Sequence, residues 1–521
     1  MTNRQSKDKG QIARTMTTDI TNQLDRVRHR VSKNHDRHDR SKIGQFLTPA
    51  PVAHFMARLF QRDVEEVRIL DAGAGAGVLS AAAVETLISR KKCLRSVEVV
   101  AYESDELVLP YLADALGRCE AVCKEADITF RGEARANDFV AAGVALTEEG
   151  LFARETERFT HAILNPPYMK INGRSETRKL LDSAGIEVSN LHAAFVWLAA
   201  KMLEPEGELV AITPRSFCNG PYFRRFRLAL LDMMALRRIH LFGSRKKAFR
   251  DDDVLQENVI FHAERVGLTP KRVTISSSEG SDFGEANVRH VPYEHVVLPH
   301  DRDGFIHLVL NDDDEDVMQG MRRFGTRLDE LGMEVSTGRV VDFRAREYLR
   351  VQPDAETVPL VYPCHFEHGF IHWPTQSDKK PNAIVSSEQT RDLMVPAGYY
   401  VLTKRFSAKE EPRRVVAAIY DPQRVQALLI GFENHLNYFH TKGKGLSPNL
   451  AKGLAVYLNS TLFDRYFRLF SGHTQVNATD LRKMRYPTRG QLIRLGARVK
   501  NRMVDQEAAD AILERVCESD G

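Results

Sequence analysis

Arg68-Ile-Leu-Asp71-Ala-Gly73-Ala-Gly75-Ala-Gly77 is the stretch on which the fold reading turns. An apolar run at 67–71 leads into it, and an amphipathic segment at 79–90 leads out. Glycines at alternate positions let the backbone turn sharply and approach a ligand closely, so the stretch reads as strand, turn and helix. By itself such a turn serves several nucleoside-bearing ligands and does not choose among them.

Working outward, six more apolar, β-rich runs follow, at 97–103, 127–130, 161–165, 208–213, 237–242 and 258–262. Amphipathic stretches such as 191–203 separate the earlier ones. That alternation predicts an α/β fold with a doubly wound, seven-stranded sheet over residues 41–265. The last two runs are joined by 243–257, too short and too charged for a full helix. A hairpin there predicts a mixed sheet with an antiparallel edge. Residues 1–40 read as a basic N-terminal arm, flexible or helical, and 266–325 as a connector containing short strands and the acidic run at 311–316. Beyond it the alternation is lost, and 326–521 reads as a second, mixed α+β domain.

Bulk properties narrow the class. With 521 residues, 43% hydrophobic and 28% charged, the chain has the composition of a globular protein of two or three domains. No apolar run approaches the roughly 18 residues that would span a bilayer, and the N-terminus has no apolar core of a signal peptide, which predicts a cytoplasmic protein. The six cysteines show no paired C-x-x-C spacing, so neither a zinc site nor a disulfide framework is expected. Net charge is only +4, but basic residues gather at 22–42 and again at 465–500. Segregation of this kind can place a positive face on a nearly neutral protein and suits a phosphate backbone. Charge alone is equally compatible with solvated faces and a polar tail.

Candidate ligand groups follow the strand ends. Glu103 closes the second strand, where an acidic residue accepts hydrogen bonds from ribose hydroxyls. Asp138-Phe139 follows the third strand, a place for a carboxylate on an adenine amine and a ring against the base. Asp138 in isolation reads equally well as a helix cap. The fourth strand ends in Ile163-Leu-Asn165-Pro166-Pro167-Tyr168. Consecutive prolines fix the backbone and remove two donors, leaving the Pro166 carbonyl and the Asn165 side-chain oxygen as acceptors. An aryl amine is a poor nucleophile because its lone pair is delocalised into the ring. Two acceptors gripping its hydrogens favour the pyramidal form, and Tyr168 offers a face for stacking the base.

The order of these motifs resembles the gamma-type N6-adenine DNA methyltransferases of type II restriction–modification systems, close to the PstI/BsuBI-type methylases and related to the Eco57I/TaqI group. The resemblance covers residues 43–265 most strongly. It implies a Rossmann-like methyltransferase sheet, S-adenosylmethionine as cofactor, and methyl transfer to N6 of an adenine flipped out of double-stranded DNA. It assigns Asp71, Gly73 and Gly75 to the cofactor loop, Glu103 to the ribose, Asp138 and Phe139 to the cofactor adenine, and Asn165, Pro166, Pro167 and Tyr168 to catalysis. Thr48, in Gly44-Gln45-Phe46-Leu47-Thr48-Pro49, closes over the methionine part of the cofactor. Phe249, with Phe242 near it in sequence, resembles the aromatic that faces the flipped base opposite Tyr168. The C-terminal part resembles a target-recognition domain, with Thr474, Gln475 and Asn477 as candidate base readers and Arg482, Lys483 and Arg485 as candidate phosphate contacts. Each of those polar residues reads as well as an ordinary loop hydrogen bond. A separate cognate restriction endonuclease and a monomeric enzyme are expected from the resemblance alone.

Other readings compete. The same tetrad serves protein-glutamine and RNA methyltransferases, but those carry their accessory domain before the catalytic one. Pro363-Cys364 and Glu257-Asn258-Val259 would suit cytosine-C5 chemistry only in the reverse order and within one domain. A catalytically inactive DNA-binding protein on a methyltransferase fold is opposed by the intact tetrad and Glu103.

Overall fold

In a computed structural model of the chain, the described residues are 20–25, 48–90, 93–147, 157–242, 258–265, 269–280, 283–284, 286–299, 301–376, 380–407, 411–470, 475–500 and 502–518. Chain contacts divide it into two compact units, residues 1–310 and 311–521.

The first unit is built on β1 (Glu66–Ala72), β2 (Ser96–Tyr102), β3 (Thr129–Arg135), β4 (Phe159–Leu164), β5 (Leu203–Pro214), β6 (Met234–Phe242), β7 (Asn258–Arg265), β8 (Arg272–Ser278) and β9 (Asn287–Pro292). They form one sheet in the order β3-β2-β1-β4-β5-β7-β6-β8-β9. The expected seven strands are all present, and the sheet carries two more. Strands β1 to β5 run parallel, as short apolar segments linked by helices must. Central β4 is buried along its whole length. Outer β3, Thr-Phe-Arg-Gly-Glu-Ala-Arg, meets solvent with alternate charged residues, a composition that blunts an open edge.

Two expectations need correcting. β7 is antiparallel, but it lies inside the sheet between β5 and β6 instead of at its edge. β8 adds parallel to β6, and β9 then pairs antiparallel with β8. Arg272–Ser278 and Asn287–Pro292, within the stretch read as a connector, are therefore part of this sheet. The short strands expected in the connector are thus present, but their polar faces give no sign that they extend the first sheet.

Helices α1 (Ala50–Arg58), α2 (Val78–Arg90) and α3 (Leu109–Glu125) cover one face, and α4 (Phe139–Thr147), α5 (Glu176–Ser183), α6 (Leu191–Met202) and α7 (Arg224–Met233) complete the set used below. Val67 and Ile69 of β1 and Val97 and Val99 of β2 share a core cluster with α1, α2 and α3, as period-two alternation demands. The alanines at 81–83 let α2 lie close to the sheet, with nearly every residue buried. A fully buried apolar side chain contributes roughly 1.5–3 kcal/mol, so this cluster anchors the layer that carries the strand ends.

The second unit holds β10 (Glu334–Thr337), β11 (Leu349–Arg350), β12 (Thr357–Val361), β13 (Phe366–Glu367), β14 (Phe370–Ile371), β15 (Ala383–Val385), β16 (Met394–Pro396), β17 (Tyr400–Lys404), β18 (Ala417–Tyr420), β19 (Leu429–Phe432) and β20 (Leu436–His440). They form a six-stranded sheet, β10-β20-β17-β18-β14-β13, and a five-stranded one, β11-β15-β12-β19-β16. The helical C-terminal part includes α8 (Pro448–Leu458), α9 (Thr461–Phe470), α10 (Ala478–Lys483) and α11 (Arg489–Ala497). Phe463, Tyr466, Phe467 and Phe470 of α9 are buried, the i, i+3, i+4, i+7 stripe of an amphipathic helix. Gly453 of α8 and Gly496 of α11 let those helices touch backbone to backbone: a Cβ on either would run into Leu492 or Asn449 carbonyl oxygen. No described helix is long and apolar enough to cross a membrane.

Candidate active site

A cleft with an empty volume of ≈ 1050 Å³, open to solvent at its mouth, lies over the carboxyl ends of the parallel strands. That is where open α/β sheets bind ligands. It is lined by Thr48, Gly73 to Ala76, Tyr102 to Ser104, Asn137 to Phe139, Asn165, Pro167, Met169, Thr177, Leu191 and Phe195, among others.

The glycine loop builds one wall. Gly73, Gly75 and Gly77 have φ of 76°, 55° and 79°, a left-handed backbone that a side chain strains against. Gly77 is also a close approach, since a Cβ there would lie 2.8 Å from Ala115 Cβ on α3. The Tyr102 carbonyl at the end of β2 accepts from both Gly73 and Ala74 N–H at 2.9 Å, tying the loop to the neighbouring strand. Glu103 completes the tie: one carboxylate oxygen accepts from Gly75 N–H and the other from Asp105 N–H, each at 2.8 Å. Burial pushes the Glu103 carboxyl pKa up, against the opposite pull of these donors. Glu103 thus shapes the loop as well as facing the cleft.

Asp71 lies apart from the other residues expected at the cofactor loop, and Pro166 and Tyr168 likewise fall outside the cleft lining. Asp71 is fully buried under the loop and absent from the cleft lining. One oxygen accepts from Ser80 Oγ at 2.6 Å, and the other has no hydrogen-bond partner. Burial pushes its carboxyl up to about 7, so it titrates near neutrality. Its place is that of a loop support. Asp138 is both a cap and a lining residue: its Oδ1 accepts from Ala141 N–H at 2.9 Å in the first turn of α4, while the side chain borders the cleft. Phe139, almost fully buried, meets Tyr102 at 5.2 Å and Phe195 at 5.0 Å, giving the cleft an aromatic wall.

The tetrad leaves β4 between its two partners: Leu164 pairs with Ala72 of β1 and Ala211 of β5. Asn165 Nδ2 donates to Thr48 Oγ1 at 2.9 Å, which fixes the orientation of the amide. The Tyr168 hydroxyl lies 3.2 Å from Asn165 Oδ1 and 3.3 Å from the Ile212 carbonyl, and its one proton serves both. Burial raises the Tyr168 pKa well above the usual phenol range, so the ring stays neutral. Behind it, His192 sits edge-on at 5.9 Å with its ring 2% exposed and its pKa pushed down to about 4 by burial. It too is neutral.

Several lining residues escaped the sequence reading. Ser104 and Asn137 adjoin expected ligands. Met169, Thr177, Leu191 and Phe195 come from the segment after the tetrad, which is closed at its neck by Leu191 N–H to Met169 O and Ile171 N–H to Ser189 O, both 2.9 Å. No spacing rule announces Thr177, which lies in the short helix α5. In the other direction, Phe249, Thr474 and residues 44–47 lie outside the described residues.

The C-terminal candidates have local partners. Gln475 bridges to Phe406, and Asn477 starts α10 with its amide 3.3 Å from Asp480 Oδ2. The Arg482 guanidinium donates to the Val335 carbonyl at 3.1 and 2.8 Å, and the Arg485 carbonyl accepts from Tyr457 OH at 2.6 Å. Arg482 is thus a staple within its unit, whatever else it touches.

Comparison with known proteins bears on this geometry. Residues 119–249 match the Eco57I restriction-modification methylase family. The chain is 44% identical over 492 residues to the type II methyltransferase M.PstI of Providencia stuartii, covering 94% of this chain and 96% of that one. It is 45% identical over 487 residues to M.BsuBI of Bacillus subtilis, covering 92% and 95%. A third relative, M.AccI of Acinetobacter calcoaceticus, is 22% identical over 46% of this chain and 40% of its own length. With the tetrad at the end of β4 beside a glycine-walled cleft, and near-full-length identity of this order, the chain belongs to the type II methyltransferases of restriction–modification systems.

Proposed function

We propose that this protein transfers the methyl group of S-adenosylmethionine to N6 of an adenine flipped out of duplex DNA, and so protects its sites from a separate cognate endonuclease. The observation that carries the reading is that Asn165 and Pro167 line the same cleft as Gly73, Gly75 and Glu103. An amine-gripping group and a nucleoside-shaped cradle therefore share one space.

The cofactor fits the residues present. The left-handed glycines bring bare backbone to the cleft, Glu103 offers a carboxylate for ribose hydroxyls, and Asp138 with Phe139 offers a carboxylate edge and a ring face for adenine. When bound, S-adenosylmethionine supplies an electrophilic methyl group. The protein does the rest. Thr48 holds the Asn165 amide nitrogen, so the amide oxygen is directed to the side where an acceptor amine enters. Asn165 Oδ1 and the Pro166 carbonyl take the two amine hydrogens, which draws the nitrogen toward tetrahedral geometry and exposes its lone pair for in-line attack. As the Tyr168 hydroxyl already lies on Asn165 Oδ1, amine binding must share or displace that bond, the Ile212 carbonyl holding the hydroxyl meanwhile. The neutral Tyr168 ring stacks on the base. No strong base is required, because the proton leaves after transfer.

Single-molecule sequencing of DNA from cells expressing the chain reads modified base and context together. N6-methyladenine confined to one short motif is the expected result. Methylated cytosine, or unmodified DNA with methylated protein or RNA, would overturn the proposal.

A further inference from the structure

The basic arm expected over residues 1–40 is not free along its whole length, because residues 20–25 are packed into the catalytic unit. Leu24 is fully buried and Ile20 6% exposed, in one core cluster with α1 and α2. The Glu85 carboxylate, 4% exposed on α2, accepts from Ile20 N–H at 3.1 Å, Thr21 N–H at 3.4 Å and Thr21 Oγ1 at 2.6 Å. The Gln23 side-chain oxygen accepts from Arg118 of α3. Asp25 Oδ1 accepts from Ala50 N–H at 3.3 Å, at the first residue of α1.

That last contact places a carboxylate at the amino end of a helix, where the helix dipole and the unpaired N–H groups favour it. The chain just past the other end of α1 is tied down by loop hydrogen bonds: Gln61 and Arg62 N–H donate to Glu208 Oε2 at 2.8 and 3.0 Å. A helix pinned at its amino end and just past its carboxyl end holds the two residues before it, Thr48 and Pro49, in a fixed place. Thr48 precedes α1, and its hydroxyl holds the Asn165 amide at 2.9 Å.

We infer that residues 20–25 form a strut that sets the amino end of α1 and, through Thr48, the orientation of Asn165. The inference rests on the reading of Asn165 as the amine acceptor. Asp25 is a positioning residue, remote from the reacting atoms.

The test compares Asp25→Ala and Asp25→Asn in the full chain, with single-turnover methylation of DNA, cofactor affinity by calorimetry and melting temperature measured on each. Asp25→Ala should lower the single-turnover rate about tenfold, the size of one lost hydrogen bond to a charged group, while the affinity for DNA stays as in the wild type. Asp25→Asn keeps an oxygen for the Ala50 N–H and should recover most of the rate. Thr21→Val, which removes only the hydroxyl donor to Glu85, gives the same pattern if Asp25→Ala does not fold. A fall in melting temperature alone, with rate and cofactor affinity unchanged well below the transition, would overturn the strut. So would failure of Asp25→Asn to recover. Should the wild-type protein not methylate adenine, the proposed function fails, while the effect of each variant on cofactor affinity still reads the strut.

Discussion

Replacing Asp71 by Asn separates the two roles that the glycine loop assigns to its neighbours. Asp71 is fully buried, and burial raises its carboxyl from the model-compound value of 3.8 to about 7. Between those pH values the native protein keeps a proton that the unfolded chain has released, so the stability this group contributes declines as pH rises and stays low above 7. At about 1.4 kcal/mol per unit the full decline is about 4 kcal/mol, of which about 3 kcal/mol falls between pH 5 and pH 8. Asn has the same shape and its oxygen still accepts from Ser80 Oγ, but it does not titrate. Its unpaired amide hydrogen imposes a cost that is equal at every pH. The melting temperature of Asp71→Asn relative to wild type, both free of cofactor, should therefore rise by about 5 °C from pH 5 to pH 8, at roughly 1.5 °C per kcal/mol for a unit of 310 residues. Calorimetry should meanwhile find cofactor affinity close to that of the wild type, because Asp71 does not line the cleft. Parallel melting curves across that range would refute the buried-carboxyl argument, and a large loss of cofactor affinity would return Asp71 to the ligand set.

Two further variants address the cleft itself. Asn165→Ala should cut methyl transfer by at least about 10²-fold, the cost of removing one preorganised partner in a transition state, with cofactor binding retained; normal turnover would dismiss the tetrad assignment. Glu103→Gln should raise the cofactor dissociation constant about tenfold by calorimetry, since an uncharged acceptor replaces a carboxylate and Gly75 N–H loses its charged partner; an unchanged constant would remove Glu103 from the site.

The parts of the fold that were legible in the sequence are those governed by local pattern. β1, β2, β4 and β5 carry apolar runs and are separated by helices, so their alternation announces parallel strands, and the glycines after β1 announce the turn. What was not legible depends on contacts distant in sequence. β7 enters between β5 and β6 because its Ile260 side belongs to the same core as Val210 and Ile212, which hydrophobic period alone does not rank against an edge position. Asp71 illustrates the same limit within the site: the motif places it beside the glycines, but only burial and the Ser80 hydrogen bond show which way it faces. Asp138 illustrates the reverse, a residue that caps α4 through Oδ1 and also lies in the cleft lining.

The place of β7 also bears on how the chain is made. A ribosome releases β5 and β6 before Asn258–Arg265, yet β6 pairs with β7 and β8 and never with β5. Until β7 arrives, both the centre of the future sheet and the strand beside it present unpaired backbone groups, the template on which misassociation begins. The late antiparallel strand is then a keystone in time as well as in space. Its insertion joins β5 to β6, so the strand whose Ile212 carbonyl accepts from Tyr168 gains its second neighbour only once Asn258–Arg265 has been made.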